Sequence, residues 1–245
     1  MTYEPSHPDR PPITFPGRLA VVGAGRVGRA IAAAIPVVDG PFARGFDGVG
    51  YDVVLLTVPD SEIANAAAVI EVGPLVGHCA GALGVAVLAP HEAFGVHPLM
   101  TVTHGGADFA GAGAAVAGTT PRALDTARTL ARLLGMQPVE IKDADRGAYH
   151  AAASIASNFL VTLEDAAERL LATAGAPRSI LVPLVRAAVE NWAALGGRDA
   201  LTGPIARGDE ATVRHQRAAV AERTPELLNL FDAMVAQTRA LAARS

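Results

Sequence analysis

Apolar residues in this chain gather in short runs separated by glycine-rich or polar turns. Leu19–Val22 (LAVV) has strand length, and the alanine-rich segment Arg26–Ile35 behind it reads as a helix. Tyr51–Val58 (YDVVLLTV) is nearly all apolar, as expected of a parallel strand covered on both faces. Pro59-Asp60 ends it, and Ser61–Ile70 reads as the next helix. Further strands are predicted at Pro74–Cys79, at Gly113–Ala117 and at Pro138–Ile141, with a weak one within Pro41–Phe46, and Gly95–His97 enters a further strand or a loop. Thr120 before Pro121 reads as the N-cap and first residue of a helix to Leu134. This alternation predicts an α/β fold with a doubly wound, mainly parallel sheet.

The pattern changes after Lys142, and no further strand is predicted. Arg146–Ala174 reads as one long helix ended by Gly175 and Pro177. A second spans Ser179–Leu195 with a bend at Pro183, and a third spans Asp209–Glu222. A fourth starts at Thr224-Pro225 and runs to the end. The expected organisation is a proline-rich flexible tail (1–16), an α/β domain (17–143) and an all-helical domain (144–245).

The first domain carries its chemistry at its start. Gly23, Gly25 and Gly28 lie directly between the first strand and the first helix, the context that a dinucleotide-binding turn of the Rossmann type requires. Gly23 permits the tight turn, Gly25 admits a pyrophosphate and Gly28 lets helix and strand pack closely. The helix N-terminus adds free N–H groups and the positive end of its dipole. Ala24, Arg26 and Val27 complete this binding stretch, and Val58 and Pro59, closing the Tyr51 strand, are assigned to the same cofactor. An acidic residue about 20 positions past the glycines would select NAD, and Asp39 and Asp47 lie in that region. Arg44 lies there too and suits the 2′-phosphate of NADP, unless it is only a surface charge. NADP is therefore expected over NAD.

Composition narrows the chemistry. The 245 residues carry a net charge of −4 with no basic stripe, which argues against a nucleic-acid surface. Lys142 is the only lysine, so almost no position is left for a catalytic one. Cys79 is the only cysteine, which excludes an internal disulfide and a cysteine-based zinc site, and no metal is expected. No signal-peptide core and no apolar run of membrane-spanning length is found, so the expected setting is the cytoplasm without membrane contact.

Histidines supply the remaining candidates. His7 lies in the tail, His91 and His104 read as solvated loop residues, and His215 reads as a surface residue. His78 either faces the cofactor or fills a strand end, the second being favoured. His97 precedes Pro98 at a strand end, where ligands bind in such sheets, and reads equally as a substrate contact or as a structural residue. His150, Ser154 and Asn158 stand at i, i+4 and i+8, each rotated only about 40° from the last on an α-helix. Such a polar stripe either faces solvent or, as its alanine-rich surroundings favour, meets a bound substrate. The reading is a small-molecule reductase in which His150 donates the proton while Ser154 and Asn158 orient the substrate. Thr202 and Gly203, in the LTGP turn, offer a hydroxyl and a backbone N–H to a carboxylate. Wide apolar faces on two of the later helices predict a homodimer through the helical domain.

Together these motifs resemble the β-hydroxyacid dehydrogenase superfamily, which includes 6-phosphogluconate dehydrogenase, ketopantoate reductase and pyrroline-5-carboxylate reductase. More narrowly, the chain resembles Rossmann-like proteins carrying the domain of unknown function DUF2520. The resemblance rests on Gly23–Gly28, LLTVPDSEI (Leu55–Ile63), HCAGA (His78–Ala82), GVHPLMT (Gly95–Thr101), YHAAASIASNFLVTL (Tyr149–Leu163) and ALTGPIARGDEATVRHQ (Ala200–Gln216). It implies a Rossmann domain followed by a helical one. In ketopantoate reductase-like enzymes a lysine and two asparagines share the spacing of His150, Ser154 and Asn158; here histidine replaces the lysine. The resemblance implies an NADP-dependent reductase of a small 2-oxo acid, with 2-dehydropantoate leading. An imine reductase and a non-catalytic NADP-binding sensor are the alternatives.

Overall fold

Ahead of the main sheet, Thr2–Tyr3 (β1) pairs antiparallel with Ile13–Thr14 (β2). The structure, a computed structural model, describes residues 2–3, 13–15, 17–36, 38–103 and 105–244. His7, His104 and most of the expected flexible tail lie outside the described residues. Phe15, near the end of that tail, is buried in the core.

The chain divides into two compact units, residues 1–157 and 158–245. The first is built on a seven-stranded sheet. Its strands are β3 (Leu19–Val22), β4 (Asp39–Phe42), β5 (Val53–Leu56), β6 (Leu75–His78), β7 (Ala93–Leu99), β8 (Gly113–Gly118) and β9 (Gln137–Glu140). Their order is β4-β3-β5-β6-β7-β8-β9, and every pair is parallel except β7 with β8. This is the doubly wound, mainly parallel sheet that the alternating pattern predicts.

The central strands are buried throughout because both faces are covered. Leu19, Val21, Val53 and Leu55 enter one core, whereas Ala20, Val22, Val54 and Leu56 enter the other. The strict alternation is the pleat of a strand dividing its side chains between two layers. Helices α1 (Arg26–Ala34) and α3 (Pro121–Leu133) cover the first face with Ile31, Ala127 and Leu130. Helix α2 (Ile63–Ala68) covers the second with Ile63 and Ala67. Thr120 caps α3 as expected, its Oγ1 accepting from the Ala123 N–H at 3.1 Å.

The expected boundary at 143/144 moves to 157/158. The reason is Arg146, the first residue of α4 (Arg146–Ser154). Its side chain is 1% exposed, and its guanidinium reaches the carbonyls of Ala80 and Gly81 behind β6. The start of the helix therefore packs as part of the first unit. The single long helix expected here is also interrupted: Ile155–Phe159 forms a π-helical turn, and α5 (Leu160–Ala172) follows.

The second unit holds α5, α6 (Leu181–Leu195), α7 (Glu210–Arg223) and α8 (Leu228–Ala242). Pro183 lies in the first turn of α6, behind a 3₁₀ turn at Arg178–Ile180. Its missing N–H removes no interior hydrogen bond there, so the proline marks a helix start rather than the expected bend. Asp209 caps α7 by accepting from the Thr212 N–H at 3.0 Å. Arg217 and Asp232 tie α7 to α8 with bonds of 2.8 and 2.7 Å. Among the described residues no helix is long and apolar enough to cross a membrane.

Candidate functional site

The glycine turn sits at the carboxyl end of β3. Gly23 has φ +109°, a left-handed conformation that L side chains rarely adopt. A Cβ on Gly28 would lie 2.0 Å from the Gly23 carbonyl oxygen and 2.4 Å from Thr57 Oγ1. Helix α1 therefore touches the strand layer with no room for a side chain. Gly25 differs, since a Cβ there would meet only the Thr57 carbonyl oxygen, at 3.7 Å. Its open face is what the approach of a pyrophosphate requires. Gly25 is also the N-cap of α1 with no side-chain cap, which leaves the first helical N–H groups free for an anion. Thr57, missed in the sequence, stitches the turn to β5 by donating from Oγ1 to the Val22 and Gly23 carbonyls at 2.9 and 2.8 Å. Arg29 Nε donates to the Ala24 carbonyl at 2.6 Å. These residues fit a dinucleotide.

The three candidates for reading the ribose separate in space. Asp39 begins β4, at the end of the strand away from the glycine turn, and pairs with Arg18 at 2.9 Å. Asp47 accepts from the Val49 N–H at 3.1 Å, and its carbonyl accepts from the Glu71 N–H at 2.9 Å. Arg44 lies just past Phe42, the last residue of β4, on the side of the glycine turn. Its side chain is 83% exposed, and it pairs with Glu62 at 3.5 Å. The loops after β4 and β5 thus approach each other through Arg44 and the 3₁₀ turn Asp60–Glu62, which Pro59 opens. Val58 packs into the second core and Pro59 is exposed.

A pocket of about 200 Å³ opens beside the turn. Arg26 and Val27 line it from α1, Cys79 from the end of β6, and His97, Pro98 and Met100 from the end of β7. Burial pushes the Cys79 thiol up to about 12, so it is not a thiolate nucleophile. His97 is neutral near pH 7. Burial, and then the proximity of His150, Arg146 and His78, push its imidazole down to about 4.

His97 Nδ1 lies 2.8 Å from Tyr149 Oη, and the two rings meet edge to face at 5.6 Å. The rings of His97 and His150 are 6.3 Å apart. Both histidines lean over Gly81, where a Cβ would lie 2.7 Å from His150 Cδ2 and 2.9 Å from His97 Nε2. Burial raises the Tyr149 hydroxyl's pKa, so this phenol keeps its proton at neutral pH. Beneath them Arg146 is anchored by Asp143 at 3.0 Å and leaves Nη2 without a hydrogen-bond partner among the described residues.

His97 and His150 thus come together, joined by Tyr149, Arg146 and Gly81. Sequence reading passed over those three, although Tyr149 adjoins His150 and Gly81 sits within HCAGA. Ser154 lies one turn beyond His150 on α4 and is partly buried. Asn158 is exposed in the π-helical turn, where the i, i+4 rule for a shared face no longer applies. Asn158, Thr202 and Gly203 belong to the second unit. His78 fills a strand end, as favoured: it is fully buried, accepts from the Ala80 N–H at 3.1 Å and bonds the Gly84 carbonyl at 3.2 Å. The expectation of a solvated His91 is overturned. It is 7% exposed because Nε2 bonds the Ala67 carbonyl at 3.0 Å inside α2. His215 is exposed, as expected.

The model of the family described as Domain of unknown function (DUF2520) matches residues 113–238. The chain belongs to the DUF2520 family. This DUF2520 chain also shares its fold with solved structures. Protein TM1727 from Thermotoga maritima is 24% identical, with a TM-score of 0.78, covering 91% of this chain and 98% of that one. A candidate NADP oxidoreductase from Bacteroides fragilis is 16% identical, with a TM-score of 0.77 and the same coverage. The reductive aminase of Aspergillus terreus, in complex with NADPH and ethyl-5-oxohexanoate, is 14% identical. Its TM-score is 0.63, covering 93% of this chain and 97% of that one. No curated protein matches the DUF2520 chain.

Proposed function

We propose that this DUF2520 protein is an NADP-dependent oxidoreductase that reduces the C=O of a small 2-oxo acid, with 2-dehydropantoate as the leading substrate and pantoate as product. The observation that carries the reading is the shared pocket, in which the glycine turn's Arg26 and Val27 face His97 at the sheet's carboxyl edge. Gly23, Gly25, Gly28 and the α1 N-terminus would hold the pyrophosphate, and Arg44 would hold the 2′-phosphate. NADPH bound there supplies a hydride. His97 and Tyr149 hold the substrate oxygen's surroundings in place, and His150 gives that oxygen a proton as it becomes an alkoxide. Ser154 and Asn158 keep the orienting role, and Thr202 and Gly203 the carboxylate contact, on sequence grounds. The fold likeness to an NADPH-bound reductase supports the reaction class.

The cluster also suits a second substrate class. A protonated imine brings its own proton and needs less from His150 than a carbonyl does, and the fold is shared with a reductive aminase. The deciding experiment follows NADPH oxidation with a panel of 2-oxo acids and cyclic imines, in wild type and His150→Ala. A carbonyl substrate whose turnover falls about a hundredfold or more in His150→Ala supports the proposal. Imine turnover alone favours the second class. NADPH binding without any turnover refutes both and leaves a sensor.

A homodimer through the helical unit is part of the same proposal. No residue of α5 or α6 is buried, and Val161, Leu184 and Trp192 are 70%, 66% and 61% exposed. Apolar faces of that extent call for a partner surface. A monomer by light scattering would overturn this. The cytoplasm is the proposed compartment.

A further inference from the structure

We propose that Tyr149 is a positioning residue that divides the work between the two histidines. Its hydroxyl donates to Nδ1 of His97, which keeps the ring proton on Nε2 and makes His97 a fixed hydrogen-bond donor. His150 is then the histidine that releases a proton. This rests on the reductase reading above, in which both rings serve one substrate oxygen.

Tyr149 Oη and His97 Nδ1 are 2.8 Å apart, and neither Oη nor His97 Nε2 has another partner among the described residues. If Nδ1 carried the proton, the phenol would accept it. The phenol's own O–H would then be stranded in a half-buried place. With the phenol donating, every proton in the pair is used except the one on Nε2, which stays available to a ligand. His78, on β6, follows the same logic. Its Nδ1 accepts from the Ala80 N–H at 3.1 Å, so its proton is on Nε2, which donates to the Gly84 carbonyl at 3.2 Å.

The surroundings keep His97 neutral, as a fixed donor must be. Tyr149, His150 and Arg146 face it from α4, His78 and Cys79 from the end of β6, and Arg26 of α1 lines the same pocket; none of these is a carboxylate. The missing side chain at Gly81 lets Nε2 of His97 and Cδ2 of His150 lean over one stretch of backbone. A donor and a proton source thus stand side by side. The phenol behind His97 prevents that ring from exchanging roles with His150.

The test reads the tautomer directly and needs no substrate. In full-length protein labelled with ¹⁵N-histidine, long-range proton–nitrogen correlations report which ring nitrogen of His97 bears hydrogen, the signals being assigned with His97→Gln. Wild type is expected to show the Nε2–H form from pH about 6 to about 8. Tyr149→Phe, which keeps the ring packing, is expected to show a mixture of tautomers at an unchanged melting temperature. An Nδ1–H form in wild type, or an unaltered His97 in Tyr149→Phe, overturns the proposal. On any carbonyl substrate that wild type reduces, kcat of Tyr149→Phe should fall about tenfold, the worth of one buried hydrogen bond, with KM unchanged. An unchanged kcat overturns the positioning role. If wild type reduces nothing, the reductase reading fails, and the tautomer measurement still decides the Tyr149–His97 assignment.

Discussion

Replacing Gly28 with alanine sets two known effects against each other. In a helix interior alanine is favoured over glycine by about 0.8–1 kcal/mol. At Gly28 the added methyl would lie 2.0 Å from the Gly23 carbonyl oxygen and 2.4 Å from Thr57 Oγ1. The first is backbone, so relief requires α1 to back away from β3 by about an ångström. Overpacking of this kind costs about 1–3 kcal/mol. The displaced Thr57 hydroxyl, which donates to the Val22 and Gly23 carbonyls, adds about 1 kcal/mol. The net expectation is a loss of about 2 kcal/mol, with NADPH affinity lowered more than tenfold because the helix N-terminus shifts. Gly147, in α4, is the internal control. A Cβ there meets nothing within 4 Å, so Gly147→Ala should gain up to about 1 kcal/mol. Urea unfolding followed by far-UV circular dichroism measures both variants, and NADPH fluorescence gives the affinity. If Gly28→Ala proves as stable as Gly147→Ala, the close packing of α1 on the turn is wrong.

The other predictions concern charge. Arg44→Ala should weaken NADPH binding about tenfold and leave NADH unchanged, because a largely exposed arginine loses one charge-assisted contact; an equal loss for both nucleotides would assign Arg44 no role at the 2′-phosphate. For stability against pH, His97 has a folded pKa of about 4, below its unfolded value of about 6.5. The unfolded chain therefore binds the extra proton first. Its contribution is complete above pH about 6.5 and is lost as pH falls towards about 4, amounting to at most about 3 kcal/mol. Burial lowers His78 in the same direction. Urea midpoints across this range should decline in wild type and less steeply in His97→Asn; parallel slopes would show that His97 is not held neutral by the fold.

Much of the fold was legible because strands and helices write different periods. The run at Val53–Leu56 had to be a doubly covered strand, and the strand–glycine–helix order around Gly23 could only be a tight turn into α1. The site was legible in part. His97 and His150 stood out as residue types, but Tyr149 and Arg146 looked like ordinary members of a helix start. What joins them is a meeting of α4 with the ends of β6 and β7, residues more than fifty positions apart. No local pattern carries that information.

By itself, the sequence determined which segments become strands and helices, where the glycine turn lies and which residues could carry chemistry, since these follow from side-chain period and backbone freedom. Only the tertiary structure decided which candidates share a site. Packing brought His97, Tyr149 and His150 over Gly81, buried Arg146 beneath them and drew the start of the long helix into the first unit. It also separated Asp39 from Arg44 at opposite ends of β4, because a parallel sheet presents ligand-binding loops at only one of its edges.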